Sequence, residues 1–492
     1  MMNKWVWGLG AAVLVLGGVI TARTATFAPA AVGNGASIAV AAAPPFDTAL
    51  AAQHLGAAVR IQTVSHQDPA ENQLGEWTKL HDWLTSTYPK ASAAMQRQEL
   101  GQTLVYTWPG SDSAAQPIII MAHQDVVPVT PGTEGDWKHA PFSGEIAEGA
   151  VWGRGSVDDK GSLVALFEAL EALAGQGFKP KRTIILVTGH DEEVGGTGAK
   201  AAANWLAAKH TKALFTIDEG GLIATDTPMI NGPAAMIGVA EKGYMTLKVV
   251  ATAKGGHSSA PPPASDIGTI NLAKALLAIE AKQFPLELRG PADGMVSVLG
   301  AKAGGMNKLA VANRWLFGGI IISKMGANPA SAAMLHTTIA PTMLTGSPKE
   351  NVLPQTATAL INYRIAPWDS SGKVLREALG AVRNLPVTVG YNEGSAGSEP
   401  SPVSSSNSLG WNLIAASALV DHPGIVVSPY LVVAGTDSKH MSPVSQDVYR
   451  FQAISLASGD IKMIHGTNEH MTLDNLTSLI RFYARLIATA AG

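Results

Sequence analysis

Side chains that can bind divalent cations occur in five short segments that lie far apart in the sequence. Histidine, aspartate and glutamate offer the nitrogen and oxygen ligands that ions such as Zn²⁺ accept. The segments are 123–125 (His-Gln-Asp), 158–159 (Asp-Asp), 190–193 (His-Asp-Glu-Glu), 218–219 (Asp-Glu) and 465–470 (His-Gly-Thr-Asn-Glu-His). The chain has no cysteine, which excludes thiolate ligands, disulfides and a thiol nucleophile. Taken singly, each segment is also compatible with a solvated loop or an exposed acidic turn.

The elements expected to position these segments alternate between strands and helices. Strands buried on both faces are predicted from three continuous apolar runs, at 117–122, 183–188 and 213–217. Helices are predicted from Ser162, as N-cap, to Gly175 and over residues 198–210. The alternation predicts an α/β fold with a mostly parallel sheet and helices on both faces. Sites in such folds form at the carboxyl ends of the strands, where three of the five segments lie.

Together, the segments would supply two imidazoles and three carboxylates to one edge of the sheet. That set suits a pair of borderline divalent cations, most simply Zn²⁺, whose charge would offset the repulsion between adjacent acids. Glu192 would remain as a free base beside the metals. Asp125 follows His123 by two residues in an extended segment and therefore points the same way. It can accept the second N–H of that imidazole and so fix its tautomer.

Nine motifs in this order resemble the M20 family of metallopeptidases, in its branch of carboxypeptidase S and N-acyl-amino-acid hydrolases. They are MAHQDVVPV, WGRGSVDDKGS, TGHDEEVGGTGA, IDEGG, GGHSSAPP, ANRWLF, NVLP, GTDSKHM and IHGTNEHM. They extend over residues 121–471. The resemblance implies a hydrolase that binds two zinc ions in a mostly parallel-sheet domain, with an inserted α+β lid of the ferredoxin-like kind.

The resemblance also implies a role for each metal-binding residue. Asp158 is expected to bridge the ions, with His123 and Asp218 completing one of them and Glu193 and His465 the other. In the pairs 218/219 and 465/470, the first member fits the family spacing better. The peptide bond after the bridging aspartate is cis in the family, so a cis bond is expected between residues 158 and 159.

Six further residues match family positions that act on the substrate or on a ligand. Asp125 is expected to orient the first histidine, Glu192 to be the general base, and His257 of the lid to reach the scissile carbonyl. The positions expected to contact the carboxylate end of the substrate are Asn351, Arg364 and Thr436.

The predicted domain plan divides the chain at three places. The segments are a signal or anchor with linker (1–47), a first catalytic part (48–240), the inserted lid (241–396) and a second catalytic part (397–492). The lid prediction rests on an alternating strand at 244–252, with Met245, Leu247, Val249 and Ala251 on one side, followed by helix 267–282. Strand 356–365, helix 373–385 and strand 387–391 complete it.

The net charge and the N-terminal segment limit the possible partners and the location of the protein. Lys plus Arg is 35 and Asp plus Glu is 38, and this net charge of −3 argues against a nucleic-acid partner. After Lys4, residues 5–20 carry no charge, which is the layout of an export signal or an N-terminal membrane anchor. Residues 21–47 read as a tether or a processed leader. The sequence therefore predicts an exported protein, either secreted or periplasmic or attached to a membrane.

The leading hypothesis is an amidohydrolase or carboxypeptidase that releases a C-terminal amino acid from a dipeptide or an N-acyl amino acid. One alternative is a biosynthetic deacetylase of N-acetyl amino acids. Another is a non-catalytic binding protein, which the presence of every metal and base residue disfavours. An apolar stretch at 300–348 is interpreted as an acyl-binding surface, a part of the lid core or the contact of a homodimer.

Overall fold

Apolar strands at the centre of a ten-stranded sheet determine the architecture. The computed structural model describes residues 2–29, 32–392 and 397–492, with side chains from residue 11 onward. Its helices are α1 Met2–Thr26, α2 Thr48–Arg60, α3 Leu74–Thr87, α4 Pro89–Ala94, α5 Lys160–Gly175, α6 Thr197–Ala208, α7 Gly268–Glu280, α8 Gly290–Ala303, α9 Gly305–Ala312, α10 Arg314–Gly326, α11 Pro329–Ala332, α12 Ser371–Val382, α13 Leu409–Leu419 and α14 Leu473–Ala491.

The strands are β1 Gln96–Leu100, β2 Thr103–Trp108, β3 Ile118–His123, β4 Glu145–Ala147, β5 Ala150–Trp152, β6 Ile184–Gly189, β7 Phe215–Asp218, β8 Leu222–Thr227, β9 Gly232–Glu241, β10 Gly243–Thr252, β11 Gly256–His257, β12 Thr338–Thr345, β13 Val352–Leu353, β14 Thr356–Ile365, β15 Val387–Tyr391, β16 Val426–Val432, β17 Val448–Arg450, β18 Ser455–Leu456 and β19 His470–Thr472.

The central sheet has the order β1-β2-β6-β3-β7-β17-β9-β8-β18, with β16 also paired to β9. The three predicted apolar strands are its neighbours β6, β3 and β7, which run parallel. Every residue of β3, β6 and β7 is buried, because helices cover both faces of the sheet. Helices α2, α5 and α14 pack on one face and α6 on the other. The predicted α/β class with a mostly parallel sheet is confirmed.

Helix α5 begins differently from the prediction. Its N-cap is Asp159, and Ser162 lies inside the first turn, where its hydroxyl accepts a hydrogen bond from Gln452 Nε2 at 2.6 Å. The helix therefore starts directly after the Asp158–Asp159 pair, and this places both residues at the carboxyl ends of the central strands.

A separate antiparallel sheet, β12-β14-β10-β15, forms the lid. Its inner face carries the alternating residues of β10 that the sequence predicted, and all of them are buried against α7 and α12. The paired strand β14 alternates in the same way, so that Arg364 lies on the opposite face from the neighbouring Tyr363 and Ile365. The chain enters this sheet from β9 through Lys242 alone. The predicted division at residue 396 lies outside the described residues.

The apolar stretch at 300–348 forms the end of α8, helices α9–α11 and strand β12. Strand β12 belongs to the lid sheet, whereas helices α8–α11 do not belong to the lid core. They pack on β9 and β16 at the edge of the central sheet, where Ala292, Val296 and Leu299 meet Met236 and Leu431. Lys242 links the central sheet and the lid sheet to helices α8–α11. It lies between β9 and β10, and its Nζ donates to the carbonyl oxygens of residues 333 and 336, just after α11, at 3.0 and 2.9 Å.

The N-terminal segment has two parts with different surroundings. Residues 32–47 are not a loose tether, because Trp411 Nε1 donates to the Gly33 carbonyl at 2.6 Å and Phe46 packs against the main core. The described side chains of α1 from residue 11 to 19 are all exposed. Among the residues whose side chains are described, no helix is long and apolar enough to cross a membrane.

Candidate metal centre

Two groups of possible metal ligands meet at the carboxyl ends of the central strands and share Asp158. The first group comprises His123, Asp158 and Glu219. His123 ends β3 and is buried, and its Nε2 lies 2.9 Å from Asp158 Oδ1 and 3.4 Å from Glu219 Oε1. The second group comprises Asp158, Glu193 and His465. His465 Nε2 lies 3.1 Å from Asp158 Oδ2 and 3.0 Å from Glu193 Oε2.

The two oxygens of Asp158 therefore face different imidazoles, as the bridging role requires. The expected cis peptide bond between Asp158 and Asp159 is present. Asp159 itself is buried and points away from both groups. Its Oδ2 accepts from the backbone N–H of His123 at 3.2 Å, and its Oδ1 accepts from Gln452 at 2.8 Å.

In the first group, Glu219 stands where the sequence predicted Asp218. Asp218 was expected to complete the first ion, yet its Oδ2 accepts a hydrogen bond from the backbone N–H of Ser438 at 2.8 Å. Glu219, the next residue, reaches His123 instead. Asp218 is the last residue of β7, and consecutive side chains of an extended chain point to opposite sides. The geometry therefore assigns the ligand position to Glu219.

Asp125 connects the first imidazole to the loop that carries the next ligand. His123 Nδ1 lies 3.0 Å from the Asp125 carbonyl oxygen and 3.3 Å from its Oδ1. The same carboxylate accepts the backbone N–H groups of Glu192 and Glu193 at 3.1 and 3.2 Å, and the hydroxyl of Ser65 at 2.6 Å. Asp125 thus orients both the histidine and the acidic loop, which extends the role predicted for it.

Sequence reasoning missed the buried ion pair of Arg154 and Glu469, whose Nη1 and Oε2 are 2.7 Å apart. Glu469 Oε1 accepts the backbone N–H groups of Val157 and Asp158 at 2.9 and 3.1 Å. Arg154 Nη2 donates to the carbonyl of Gly466 at 2.8 Å, in the turn after His465. The pair therefore holds the bridging aspartate and the last histidine in one unit. Both residues lay inside quoted motifs, but nothing local linked them.

Like charges crowd the site, and their protonation reflects it. Burial raises the pKa of Glu192 well above its usual range, and the neighbouring charges of Asp437, Glu219 and Glu193 raise it further. Burial, with the charge of Asp158, raises the pKa of Glu219 to about 8. Hydrogen bonds to Asp158 and Glu193 raise the pKa of His465 to about 10. Without cations, the ligands therefore hold protons that a metal would displace.

The donor set fits divalent metal ions. Two imidazole nitrogens and three carboxylates converge, as in N/O sites for Zn²⁺ and related ions. Glu193 Oε1 is a buried oxygen with no hydrogen-bond partner, which is the condition expected of a carboxylate awaiting a cation. Glu192 belongs to neither group, in keeping with its prediction as a free base.

His257 and Asn351 come together on the lid, away from the metal groups. Strands β11 and β13 pair His257 with Val352, and Ser258 N–H donates to the Asn351 carbonyl at 3.1 Å. His257 is exposed, and its Nδ1 bonds the hydroxyl of Ser259 at 2.8 Å. In the described chain neither residue contacts a ligand side chain. Their predicted roles at the scissile carbonyl and the carboxylate remain predictions.

Arg364 lies near Gly435, the residue that precedes Thr436. Arg364 lies over the ring of Tyr244, with Cζ 4.9 Å from its centroid. A Cβ built on Gly435 would lie 4.0 Å from Arg364 Nη1. Thr436 is occupied by another partner, since its N–H and hydroxyl both donate to Glu241 Oε2 at 3.0 Å. Arg364 has no ion-pair partner among the described residues, and its predicted role, like that of Thr436, stays a prediction.

The ligand assignment predicts matched pairs of variants. We expect Glu219→Gln and His465→Ala each to lower the metal bound per chain after zinc loading, because each removes a ligand. Asp218→Asn and His470→Ala should retain the wild-type content, since Asp218 bonds Ser438 and the His470 ring stacks on Trp152. Elemental analysis of the dialysed proteins measures this. Metal loss in Asp218→Asn with full content in Glu219→Gln would reverse the assignment.

Comparisons with known proteins identify the family of the chain. Residues 119–489 match the family described as peptidase family M20/M25/M40. The chain is 34% identical over 443 residues to probable carboxypeptidase S-like 2 of Dictyostelium discoideum, covering 89% of this chain and 84% of the relative. It is also 34% identical over 447 residues to human N-fatty-acyl-amino acid synthase/hydrolase PM20D1, covering 89% and 87%.

The fold also matches the crystal structure of an M20 family metallo-carboxypeptidase from Sulfolobus solfataricus. The TM-score is 0.63 at 17% identity, covering 89% of this chain and 99% of that one. At that identity the likeness concerns the fold. The chain belongs to peptidase family M20/M25/M40, as a metallopeptidase-type hydrolase related to carboxypeptidase S and to the N-fatty-acyl-amino acid hydrolases.

Proposed function

We propose that the protein is a zinc-dependent amidohydrolase with a pair of zinc ions, which releases the C-terminal amino acid from an N-acyl amino acid or a dipeptide. The observation that carries this proposal is Arg364. It is a largely buried cation on the lid, next to the loop at Gly435, within electrostatic reach of Glu192 and Glu241. A guanidinium so placed suits a free α-carboxylate on the substrate, which it can bind through two parallel hydrogen bonds.

His123, Asp158, Glu219, Glu193 and His465 would hold the ions. When bound, such ions lower the pKa of a water to about 7 and polarise a carbonyl group. The protein supplies the proton transfers through Glu192. Its carboxylate takes a proton from the attacking water and passes it to the nitrogen of the leaving amino acid. Burial raises the pKa of Glu192, which favours its acceptance of the proton in the first transfer.

Arg364 would hold the leaving amino acid by its carboxylate while the amide bond breaks. The ring of Tyr244 supports the guanidinium from one side. Burial lowers the pKa of Arg364, although an arginine remains charged at any physiological pH. The N-terminal side of the substrate is recognised less specifically, since no charged clamp of this kind faces it in the described residues. The names of the relatives include both an N-fatty-acyl-amino acid hydrolase and a carboxypeptidase, so the group on the N-terminal side could be a fatty acyl or a peptidyl group.

We also propose that the protein is exported, with α1 acting as its signal or anchor. The uncharged residues 5–20 after Lys4 support export. Expression of the full chain in a bacterial host, followed by fractionation and mass measurement of the mature N-terminus, tests this. Recovery of the intact chain in the cytosol alone would contradict it.

Glu192 and Glu193 provide a test of the division of labour. We expect Glu192→Gln to keep the wild-type metal content and to lower kcat by about 10²–10⁴, the usual effect of removing a general base. Glu193→Gln should lose metal, because its Oε2 faces His465. Metal analysis and steady-state kinetics are measured on the same preparations. Equal metal loss in both variants would contradict the assignment.

Arg364 gives a test of the substrate class. Zinc-loaded wild-type protein is assayed with long-chain N-acyl, N-acetyl and dipeptide substrates, each as the free acid and as the C-terminal amide. The acids should be strongly preferred. Arg364→Gln should lower kcat/KM for acids by about 10- to 100-fold, the value of a hydrogen bond to a charged group, and leave the amides nearly unchanged. Equal losses for acids and amides would rule out carboxylate recognition by Arg364. A strong preference for the N-acetyl acids would favour the deacetylase instead.

A further inference from the structure

The N-terminal helix α1 presents an apolar surface that no described part of the chain covers. Five of its large side chains are 41–78% exposed, namely Val13, Leu14, Val15, Leu16 and Val19. A Cβ built on Gly17 or Gly18 would meet no atom within 4 Å. A helix that is apolar all round is stable in a membrane or in a protein core, but not in water.

A second exposed apolar surface lies on helix α10. Trp315, Leu316 and Ile320 are 56%, 44% and 55% exposed. Residues four apart on a helix lie one turn from each other on the same side, so Leu316 and Ile320 form one stripe, which the adjacent Trp315 widens. The opposite side of α10 is anchored, because Ile321 is buried against the helices that pack on β9 and β16. The stripe is therefore held outward by a rigid support.

The two surfaces are adjacent. Asn313, which precedes α10, donates through Nδ2 to Thr24 Oγ1 of α1 at 3.1 Å and to the Ile20 carbonyl at 3.4 Å. Arg23 Nε donates to the carbonyl of Ala312 at 3.4 Å. These contacts fix the base of α1 beside the first turn of α10. The two apolar surfaces are therefore neighbours, and we call them together the α1–α10 surface.

Among residues 290–326 and the described side chains of α1, every charged residue but one is basic. Between residues 290 and 326 the single acidic residue is Asp293, and it is paired with Arg314. Lys302 and Lys324, in the same stretch, are exposed, as is Arg23 on α1. A basic rim around apolar side chains is complementary to a bilayer that contains anionic lipids. Trp315 also belongs to the residue types that favour the interface of a membrane.

We propose that the α1–α10 surface lies on an anionic lipid bilayer, with α1 and the stripe of α10 in contact with the same membrane. A second copy of the chain fits this surface less well. Symmetric pairing would bring the same patch of each copy face to face and oppose two like basic rims. The bilayer accepts the apolar side chains and attracts the rim. The inference concerns attachment and orientation and does not depend on which substrate is hydrolysed.

The absence of cysteine permits a direct test in the full-length protein. A single cysteine is introduced by Ile320→Cys and labelled with an environment-sensitive fluorophore. The matched control is Leu277→Cys on lid helix α7, an apolar side chain that is 69% exposed. Both proteins are mixed with vesicles of phosphatidylcholine alone or of phosphatidylcholine with phosphatidylglycerol. With the mixed vesicles, the emission at position 320 should rise several-fold, shift to shorter wavelength and be quenched by lipids that carry a spin label on the acyl chain. High salt should weaken the effect.

The control label at position 277 should report water in every sample. The proposal is overturned if the protein does not bind the mixed vesicles, or if the bound protein leaves position 320 as wet as position 277. It is equally overturned if position 320 becomes shielded without vesicles as protein concentration rises, since a second copy would then cover the surface. The hydrolysis of a soluble substrate, measured on the same samples, should be unaffected, so this test is separate from that of the proposed function.

Discussion

The rest of the metal centre depends on the position of one partly buried carboxylate, that of Asp158. Its two oxygens face the imidazoles of His123 and His465, which lie far apart in the sequence, at 2.9 and 3.1 Å. The aspartate cannot serve both unless its backbone is fixed, and Glu469 provides this through the N–H groups of residues 157 and 158. Arg154 compensates the charge of Glu469 and also binds the turn after His465. The parallel strands bring the remaining ligands to the same edge.

Repulsion between the clustered carboxylates of the site indicates that they serve a function and not only the stability of the fold. Glu192, Glu193, Asp218 and Glu219 lie close together, and burial raises the pKa of each of them. A fold seeking only stability would replace such a cluster with apolar residues, since buried ionic groups rarely repay the loss of hydration. Bound cations would offset the repulsion between these carboxylates. Asp125 holds the acidic loop in place by accepting hydrogen bonds from two of its backbone N–H groups.

Much of this arrangement could be predicted from the sequence, because continuous apolar runs identify buried parallel strands and acids at their ends identify the site. The sequence favoured Asp218 over Glu219, whereas the first group contains Glu219, since neighbours in an extended segment face opposite sides and only the fold shows which side is the cleft. The pair of Arg154 and Glu469 is separated by 315 residues, so no local spacing reveals it. Helices α8–α11 were placed in the lid region by their position in the chain, but their apolar faces pack on the central sheet.

The position of His465 has a consequence for biosynthesis. His123, Asp158 and Glu193 are made early, whereas His465 and Glu469 lie within the last thirty residues of the 492-residue chain. A nascent or C-terminally truncated polypeptide therefore lacks both the second imidazole and the group that fixes the bridging aspartate. Domains fold from the N-terminus as they leave the ribosome, so the central sheet can form before this end exists. Any polypeptide that stops before residue 465 therefore lacks the second group of ligands, even where its central sheet has formed.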